Sequence, residues 1–365
     1  MRADDDGLED AHKAAVELTS RPEPVDIKQV AALAGVSIAT VSRAVANPGR
    51  VNAATRTRVL KVVQQTGYTP NIAGRRLRSA RSMTLLLVIP SSITPFFSEL
   101  HQGVDRAASA RGYGLIVGSL GGEPENNEKR LVNLAFSGQA DGVLLLSGRM
   151  LRAGHRLLTG AGLPIVAISQ VPHQTTGMPA VLVQDREGAA AMARHLLELG
   201  HRRFGYIAGP VDSYVEHERW AGFITTLAAA GVAESGVIRY PGDFKILAGF
   251  EAGQRFLATK RRPTAVFAMS DMMAVGFMRA VRDAGLGIPN DVSVAGFDGI
   301  EFAAYCEPPL TTVRQPVEAM GRQGTELLLR LIQGEALKPE DCIERLEVTL
   351  CPAASTGPPA VNDRN

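Results

Sequence analysis

The sequence predicts an α/β core of two doubly wound lobes, preceded by a small all-α headpiece built around a helix-turn-helix. Three observations carry this expectation. Near Ser82 the apolar pattern changes from helical spacing to short β-rich runs that alternate with amphipathic helices. Nine such runs are more than the usual single open sheet holds. The chain has 365 residues, 45% of them hydrophobic and 21% charged, which is room for two or three globular domains at ~100–200 residues each.

Residues 1–24 are acidic and polar and end in "TSRPEP". They read as a flexible tail, with no apolar core of a secretory signal. The headpiece is expected at 25–69. Its first helix spans about Ile27 to Ala34, with Val30, Leu33 and Ala34 at helical spacing. Gly35 and Val36 make a tight turn. The second helix opens at Ser37, whose hydroxyl can accept from the orphan N–H groups of the first turn. It runs to about Ala46, where "NPG" stops it. The third starts at Asn52, carries Val59, Leu60, Val62 and Val63, and ends at Gly67. Two helices on so short a glycine turn, with a third to complete the core, form a helix-turn-helix pattern.

Charge singles out the same segment. Between Val25 and Ser82 stand ten Lys/Arg and one acid, Asp26, a balance of +9. The chain totals +2, so the remainder carries −7. A basic domain on an acidic body suggests a polyanion partner for that domain alone.

Beyond Ser82 the candidate strands are Thr84–Ile89, Leu115–Gly118, Gly142–Leu146, Pro164–Ile168, Val181–Val183, Phe204–Ala208, Val237–Tyr240, Ala265–Ala268 and Val292–Gly296. Amphipathic segments such as Phe97–Arg111, Gly188–Gly200, Glu216–Ala230 and Met272–Ala284 lie between them. Parallel sheets of this kind bind ligands in a crevice outside the carboxyl ends of their strands.

Other classes lack their signatures. No GxxxxGK[ST] loop, GxSxG elbow, HExxH or strand-borne GxGxxG occurs. This argues against the rival reading of a doubly wound enzyme. A solute-binding protein would explain the core but not the headpiece. The three cysteines, Cys306, Cys342 and Cys351, do not make a disulfide framework and fit a reducing cytoplasm. No metal or cofactor is expected.

The headpiece run "AGVSIATVSRAV" and the later "TPNIAGRRL" resemble the lactose-repressor/galactose-repressor (LacI/GalR) family of bacterial transcription regulators. The likeness continues through "SITPFFSELHQGVDRAA", "ERWAGF", "SDMMAVG", "GIPNDVSVAGFDG" and "PPLTTVRQP". It implies a helix-turn-helix headpiece, a hinge helix at 70–82 and a sensor core like a periplasmic sugar-binding protein. The first lobe would comprise 83–184 plus 313–341, the second 185–312 plus 342–355, with 356–365 a flexible tail. A cytoplasmic homodimer on a palindromic operator is implied, because a two-fold protein suits a two-fold site. The tail lacks the leucine heptads that make some relatives tetramers.

In this type of fold the second helix enters the major groove with its N-terminal residues against base edges. Ile38 and Ala39 would then meet bases, packing on a thymine methyl. Arg43 would reach a guanine or a phosphate, and Ser37, Thr40 and Ser42 phosphates. In the hinge, Leu77 matches the leucine that wedges a minor-groove step open. Arg75 would hold a phosphate and Asn71 cap the helix or contact the backbone. Gly74 stands where the family usually has alanine, which implies a hinge that orders less readily, by ~1 kcal/mol.

For the effector, Arg219 matches the family arginine that reaches the ligand and Asp298 its acidic partner. Phe96 and Phe97 match aromatic residues of the pocket wall. Ser169 stands where many relatives have an aspartate, and Ser270 where they have an asparagine. Gln315 and Asp185 border the crevice, while Asp271 reads as structural. The implied effector is a sugar or related metabolite, with a nucleobase or another small polar metabolite left open.

Overall fold

The computed structural model describes residues 25–46, 48–68, 81–90, 94–172, 175 and 177–360. The chain divides into two compact units at Ala80–Arg81.

The first unit holds helices α1 (Ile27–Ala34), α2 (Ile38–Ala46) and α3 (Ala53–Thr66). Each is set by its ends. Gln29 N donates to Asp26 Oδ1 at 2.8 Å and Asp26 N to Gln29 Oε1 at 2.9 Å, a reciprocal capping box. Gly35, at φ +62°, ends α1 in the left-handed region that glycine enters at least cost. Ser37 caps α2 and Asn52 caps α3. Val30, Ala31, Ala34, Val41, Ala44 and Val59 form the core. Leu33, expected on the apolar side, is instead 66% exposed. It points about 100° away from the centre of the Val30–Ala31–Ala34 stripe, at 100° per residue. Leu60 is also exposed, and Val59 is the buried residue of its helix.

The second unit contains two six-stranded sheets. The first takes the order β13-β7-β6-β3-β1-β2, from β1 (Thr84–Ile89), β2 (Gly114–Ser119), β3 (Gly142–Leu145), β6 (Ile165–Ile168), β7 (Ala180–Val183) and β13 (Ile343–Leu346). All its pairs are parallel. The hairpin of β4 (Arg152–Ala153) and β5 (Arg156–Leu157) stands apart. The second sheet is β14-β12-β11-β10-β8-β9, from β8 (Phe204–Ile207), β9 (Val237–Tyr240), β10 (Ala265–Ala268), β11 (Ser293–Asp298), β12 (Thr311–Arg314) and β14 (Thr349–Cys351). Only β14 is antiparallel to its neighbour. Strands covered on both faces read as unbroken apolar runs, as Leu85 to Val88 do, all of them buried.

The helices are α4 (Pro95–Ser109), α5 (Pro124–Phe136), α6 (Asp185–Glu198), α7 (Tyr214–Ala229), α8 (Ile246–Ala258), α9 (Asp271–Asp283) and α10 (Val317–Ile332). Helices α4 and α10 touch through glycines. A methyl group on Gly103 would collide with Glu318 O, and one on Gly321 with Leu100 O. Gly321→Ala is therefore expected to force the helices apart and destabilise the unit by about 1–3 kcal/mol, read from urea unfolding midpoints. An unchanged midpoint would mean that the pair has slack to give.

Two expected boundaries move. The chain crosses to the first lobe after Arg314, because β12 pairs with β11 along its whole length, including Val313 and Arg314. It returns only between Leu346 and Thr349, because β13 pairs with β7 from Ile343–Ala180 to Leu346–Val183. Residues 342–346, expected in the second lobe, thus edge the first sheet. Their sequence, Cys-Ile-Glu-Arg-Leu, is too short and polar to show a strand period.

The expected tail from 356 is corrected in its described part. Ser355 is buried, takes Thr311 N at 2.8 Å and donates to Val294 O at 2.6 Å. His201 Nε2 donates to Gly357 O at 2.9 Å while its Nδ1 meets Thr264 Oγ1 at 2.9 Å. Burial pushes that imidazole down to about 4, so it is neutral at pH 7 and fits the donor–acceptor pairing. Small residues and prolines suit this segment because it lies against β11 and β12, where little side-chain volume fits.

Candidate functional site

In the first unit the question is which side of α2 is left open. Val41 and Ala44 turn into the three-helix core. Ile38 is 44% exposed and takes no part in that core, and Ala39 and Arg43 are exposed. Ala39 and Arg43 are one turn apart and share a face. Arg43 Nε donates to Ala39 O at 3.2 Å. Ser37 Oγ accepts Thr40 N at 3.2 Å and meets Thr40 Oγ1 at 2.9 Å, so these two hydroxyls already cap the helix. Ser42 is half-buried. An apolar side chain on a solvated first turn has no folding role here. Asn71, Gly74, Arg75 and Leu77 lie outside the described residues.

In the second unit a cavity of about 780 Å³ opens between the lobes. Phe96, Phe97, Ser169, Arg219, Ser270, Asp298 and Gln315 all line it. They arrive on six elements: the start of α4, the loops after β6 and β12, the N-terminal half of α7, the cap of α9 and the end of β11. This follows from the parallel sheets, whose carboxyl ends face the crevice. Pro90, Phe96, Phe97, Leu120 and Leu146 supply apolar wall, and the two phenyl rings meet edge-on at 5.3 Å.

Arg219 organises the polar wall. Its Nε donates to Asp185 Oδ1 at 2.8 Å, and its Nη1 donates to Met269 O and lies 3.5 Å from Asp298 Oδ1. The guanidinium carbon sits 3.7 Å from the centroid of the Phe297 ring, a cation–π stack. Nη2 enters none of these bonds. Gln315 Nε2 donates to Asp298 Oδ1 at 2.8 Å, while Gln315 Oε1 is buried with no partner among the described residues. A buried acceptor left open beside a cavity is a place for a ligand's hydroxyl or amide donor. Ser169 (φ +69°) and Asp298 (φ +129°) both sit in the left-handed half of backbone space, a strain of about 1–3 kcal/mol each.

Asp185, named as a border of the crevice, is instead buried behind Arg219, which it orients. Asp271 accepts from Gly299 N, Ile300 N and Thr312 Oγ1 at 2.8, 2.9 and 2.6 Å, a structural role. Ser270 Oγ accepts Met273 N at 3.4 Å and so caps α9 as well as lining the cavity.

Three carboxylates surround one guanidinium, and all three are shifted toward the neutral form, foremost by burial. Asp298 is pushed up to about 8, with the Asp271 charge adding to burial and Arg219 opposing it. Its folded value lies above the ordinary ~3.9. The stability that goes with its protonation is full in acid and is lost as the pH rises through about 8. Asp298→Asn keeps the acceptor for Gln315 without the ionisation. It is expected to flatten the fall in Tm between about pH 6 and about pH 9. The same fall in the variant would assign the titration to another group.

Ser147, Arg149, Asp212 and Asp243 also line the cavity and were not anticipated. Each follows a strand end, after β3, β8 or β9, so applying the strand-end rule to every strand would have found them. Arg149 is held by the buried Glu128 at 2.7 Å. Tyr214, the first residue of α7, bridges the lobes: it packs against the cluster of Ala167, Ala180 and Leu182, and its hydroxyl accepts from Arg345 Nη1 at 3.2 Å.

Residues 26–71 match the model of bacterial regulatory proteins of the lacI family, and residues 193–356 that of a periplasmic binding protein-like domain. The chain is 37% identical over 309 residues to the HTH-type transcriptional repressor CytR of Escherichia coli (strain K12), covering 85% of this chain and 90% of that protein. The chain belongs to the LacI family. As a LacI-family chain it shares its fold with the lac repressor dimer bound to operator and the anti-inducer ONPF, at a TM-score of 0.80 and 27% identity. That likeness covers 92% of this chain and 100% of the other. A complex of the transcriptional regulator CelR with cellobiose gives a TM-score of 0.69 at 34% identity, with the same coverage. These LacI-family relatives are transcription regulators rather than enzymes.

Proposed function

We propose that this LacI-family chain is a sequence-specific repressor of transcription. It acts as a homodimer on a palindromic operator in the cytoplasm. Its operator affinity is set by a small polar effector, a sugar or related metabolite, held between the two lobes. The observation that carries this reading is the pairing, in one chain, of an exposed Ile38–Ala39–Arg43 face on α2 with a two-walled cavity around Arg219. The relatives support it: CytR is named a repressor, the lac repressor structure is a dimer on operator, and CelR holds cellobiose.

Ile38 and Ala39 face bases, and Arg43 reaches a guanine or a phosphate. Ser37, Thr40 and Ser42 hold phosphates, Asn71 and Arg75 extend those contacts, and Leu77 wedges the minor groove. Arg219, Asp298 and Gln315 bind the polar side of the effector; Phe96 and Phe97 wall its apolar side, and Ser169 and Ser270 complete the pocket. The effector shifts the operator equilibrium by its differential affinity for two lobe arrangements.

The test is selection of binding sites from random duplex DNA by the full chain at near-physiological salt, with and without a metabolite extract. Salt matters because phosphate attraction alone mimics binding in dilute buffer. A two-fold palindrome is the expected result. No enrichment by folded protein in either condition would overturn the proposal.

A further inference from the structure

The core unit begins with three residues held more firmly than a strand entry requires. Arg81 Nη2 donates to Ile332 O, the last residue of α10, at 2.9 Å. A guanidinium there meets both an orphan carbonyl and the negative end of the helix dipole. The Tyr113 phenol is a further partner of Arg81. Ser82 N and Met83 N then donate to the two carboxylate oxygens of Asp141, at 2.6 and 2.9 Å. Met83 takes φ +51°, a conformation a side chain rarely adopts. These residues follow directly on the 70–80 segment that carries Leu77.

The other end of α10 belongs to the cavity. Gln315, two residues before the helix, lines the cavity and grips Asp298 twice, by its N to Asp298 O at 3.0 Å and by its Nε2 to Oδ1 at 2.8 Å. Between the two ends lie 16 helical residues, about 24 Å at 1.5 Å each. The helix is seated without slack. Gly321 and Gly103 bring it against α4 at backbone distance, Gly324 fits over Ile168, and Leu328 and Ile332 close on Gly142.

We infer that α10 is the strut linking the effector cavity to the DNA-binding segment, and that Arg81 is the positioning residue that ties this segment to the strut. The inference rests on the proposed function, which supplies the effector and the operator. A change at Gln315 and Asp298 moves the start of α10, and Ile332 O moves with the helix. Arg81 follows, and with it the attachment point of the preceding segment. A bare covalent link through β1 would carry no such signal from α10.

The test is a double-mutant cycle on operator affinity, without effector. The probe is the palindrome enriched by the wild-type chain, followed by fluorescence anisotropy at fixed salt. Gln315→Ala perturbs the cavity end and Arg81→Met the hinge end. Gln315→Ala is expected to change operator affinity about fivefold or more in the wild-type background and less than twofold in Arg81→Met. Loss of the Arg81 charge weakens DNA binding equally in both arms and cancels in the cycle. Arg81→Lys, which keeps a donor but not the planar fork, is expected to restore part of the coupling. Arg81 is exposed, so its variants should fold; Gln315→Met, which keeps the side-chain length but removes the amide that grips Asp298, repeats the cycle should Gln315→Ala melt. Additive effects within twofold in the cycle overturn the inference, as does a cavity variant that leaves operator affinity unchanged. A wild-type chain that selects no palindrome strikes the proposed function itself, visibly before any variant is made, and this inference falls with it.

Discussion

Arg219→Met is expected to lower the stability of the core by about 3–5 kcal/mol, the usual cost of removing one partner from a buried ion pair. Methionine keeps the packing on Phe297 and removes the charge. It leaves the buried Asp185 and Asp271 and the half-buried Asp298 with no cation among them, and Asp185 Oδ1 and Met269 O without their donor. The sign of the pH dependence follows. Without Arg219 the folded-state carboxylates rise further above the unfolded value. They then bind protons on folding, and stability grows as the pH falls. The deficit measured by urea unfolding should be larger near pH 8 than near pH 5.5. A deficit under about 1 kcal/mol would mean that the guanidinium was not offsetting the carboxylates. An equal deficit at both pH values would point to lost packing. Effector response should vanish at any pH, since Nη2 is the donor that Arg219 leaves open.

Ile38→Gln should change which operator is chosen rather than how stable the protein is. Ile38 lies outside the headpiece core and is 44% exposed, so the melting temperature should barely move. On DNA, an amide replaces a branched alkyl group at the position proposed to face bases. It favours an adenine edge over a thymine methyl, worth about 1–3 kcal/mol per base pair. A dimer presents the change twice, so preference between the two palindromes should shift by roughly 30-fold to 10⁴-fold. Repeating the selection with the variant checks this. An unchanged consensus would show that α2 does not meet bases through Ile38, whatever else it contacts.

The sequence made most of this molecule legible, and the exceptions share a cause. Long periodic runs such as Thr84–Ile89 and well-capped helices such as Ile27–Ala34 stand where periodicity put them. Strands β12, β13 and β14 did not show, because Thr-Thr-Val-Arg, Ile-Glu-Arg-Leu and Thr-Leu-Cys mix polar with apolar residues and present no apolar run. Six of the seven cavity residues adjoin a strand end or a helix start, and Arg219 reaches in from the second turn of α7. Asp185 was misplaced for a different reason: its role depends on a contact 34 positions along the chain, which no local pattern encodes. Leu33 shows the limit of spacing arguments in a short helix, where a stripe can turn by one residue and leave a large side chain in water.

The pairing of β13 with β7 also bears on how the chain is made. Ribosomes deliver the first lobe's strands β1 to β7 early, then the second lobe's strands β8 to β12, then the edge strand of the first lobe at Ile343–Leu346, and last β14 of the second lobe. Helix α10, which covers the first sheet, also emerges late. The first lobe therefore waits, partly uncovered, while about 130 intervening residues are synthesised, some seconds at ~5–20 residues per second. Neither lobe can finish as an independent N-terminal domain. A nascent chain cut short before Leu346 exposes apolar sheet to chaperones and proteases, so only near-complete products would survive to pair and reach DNA.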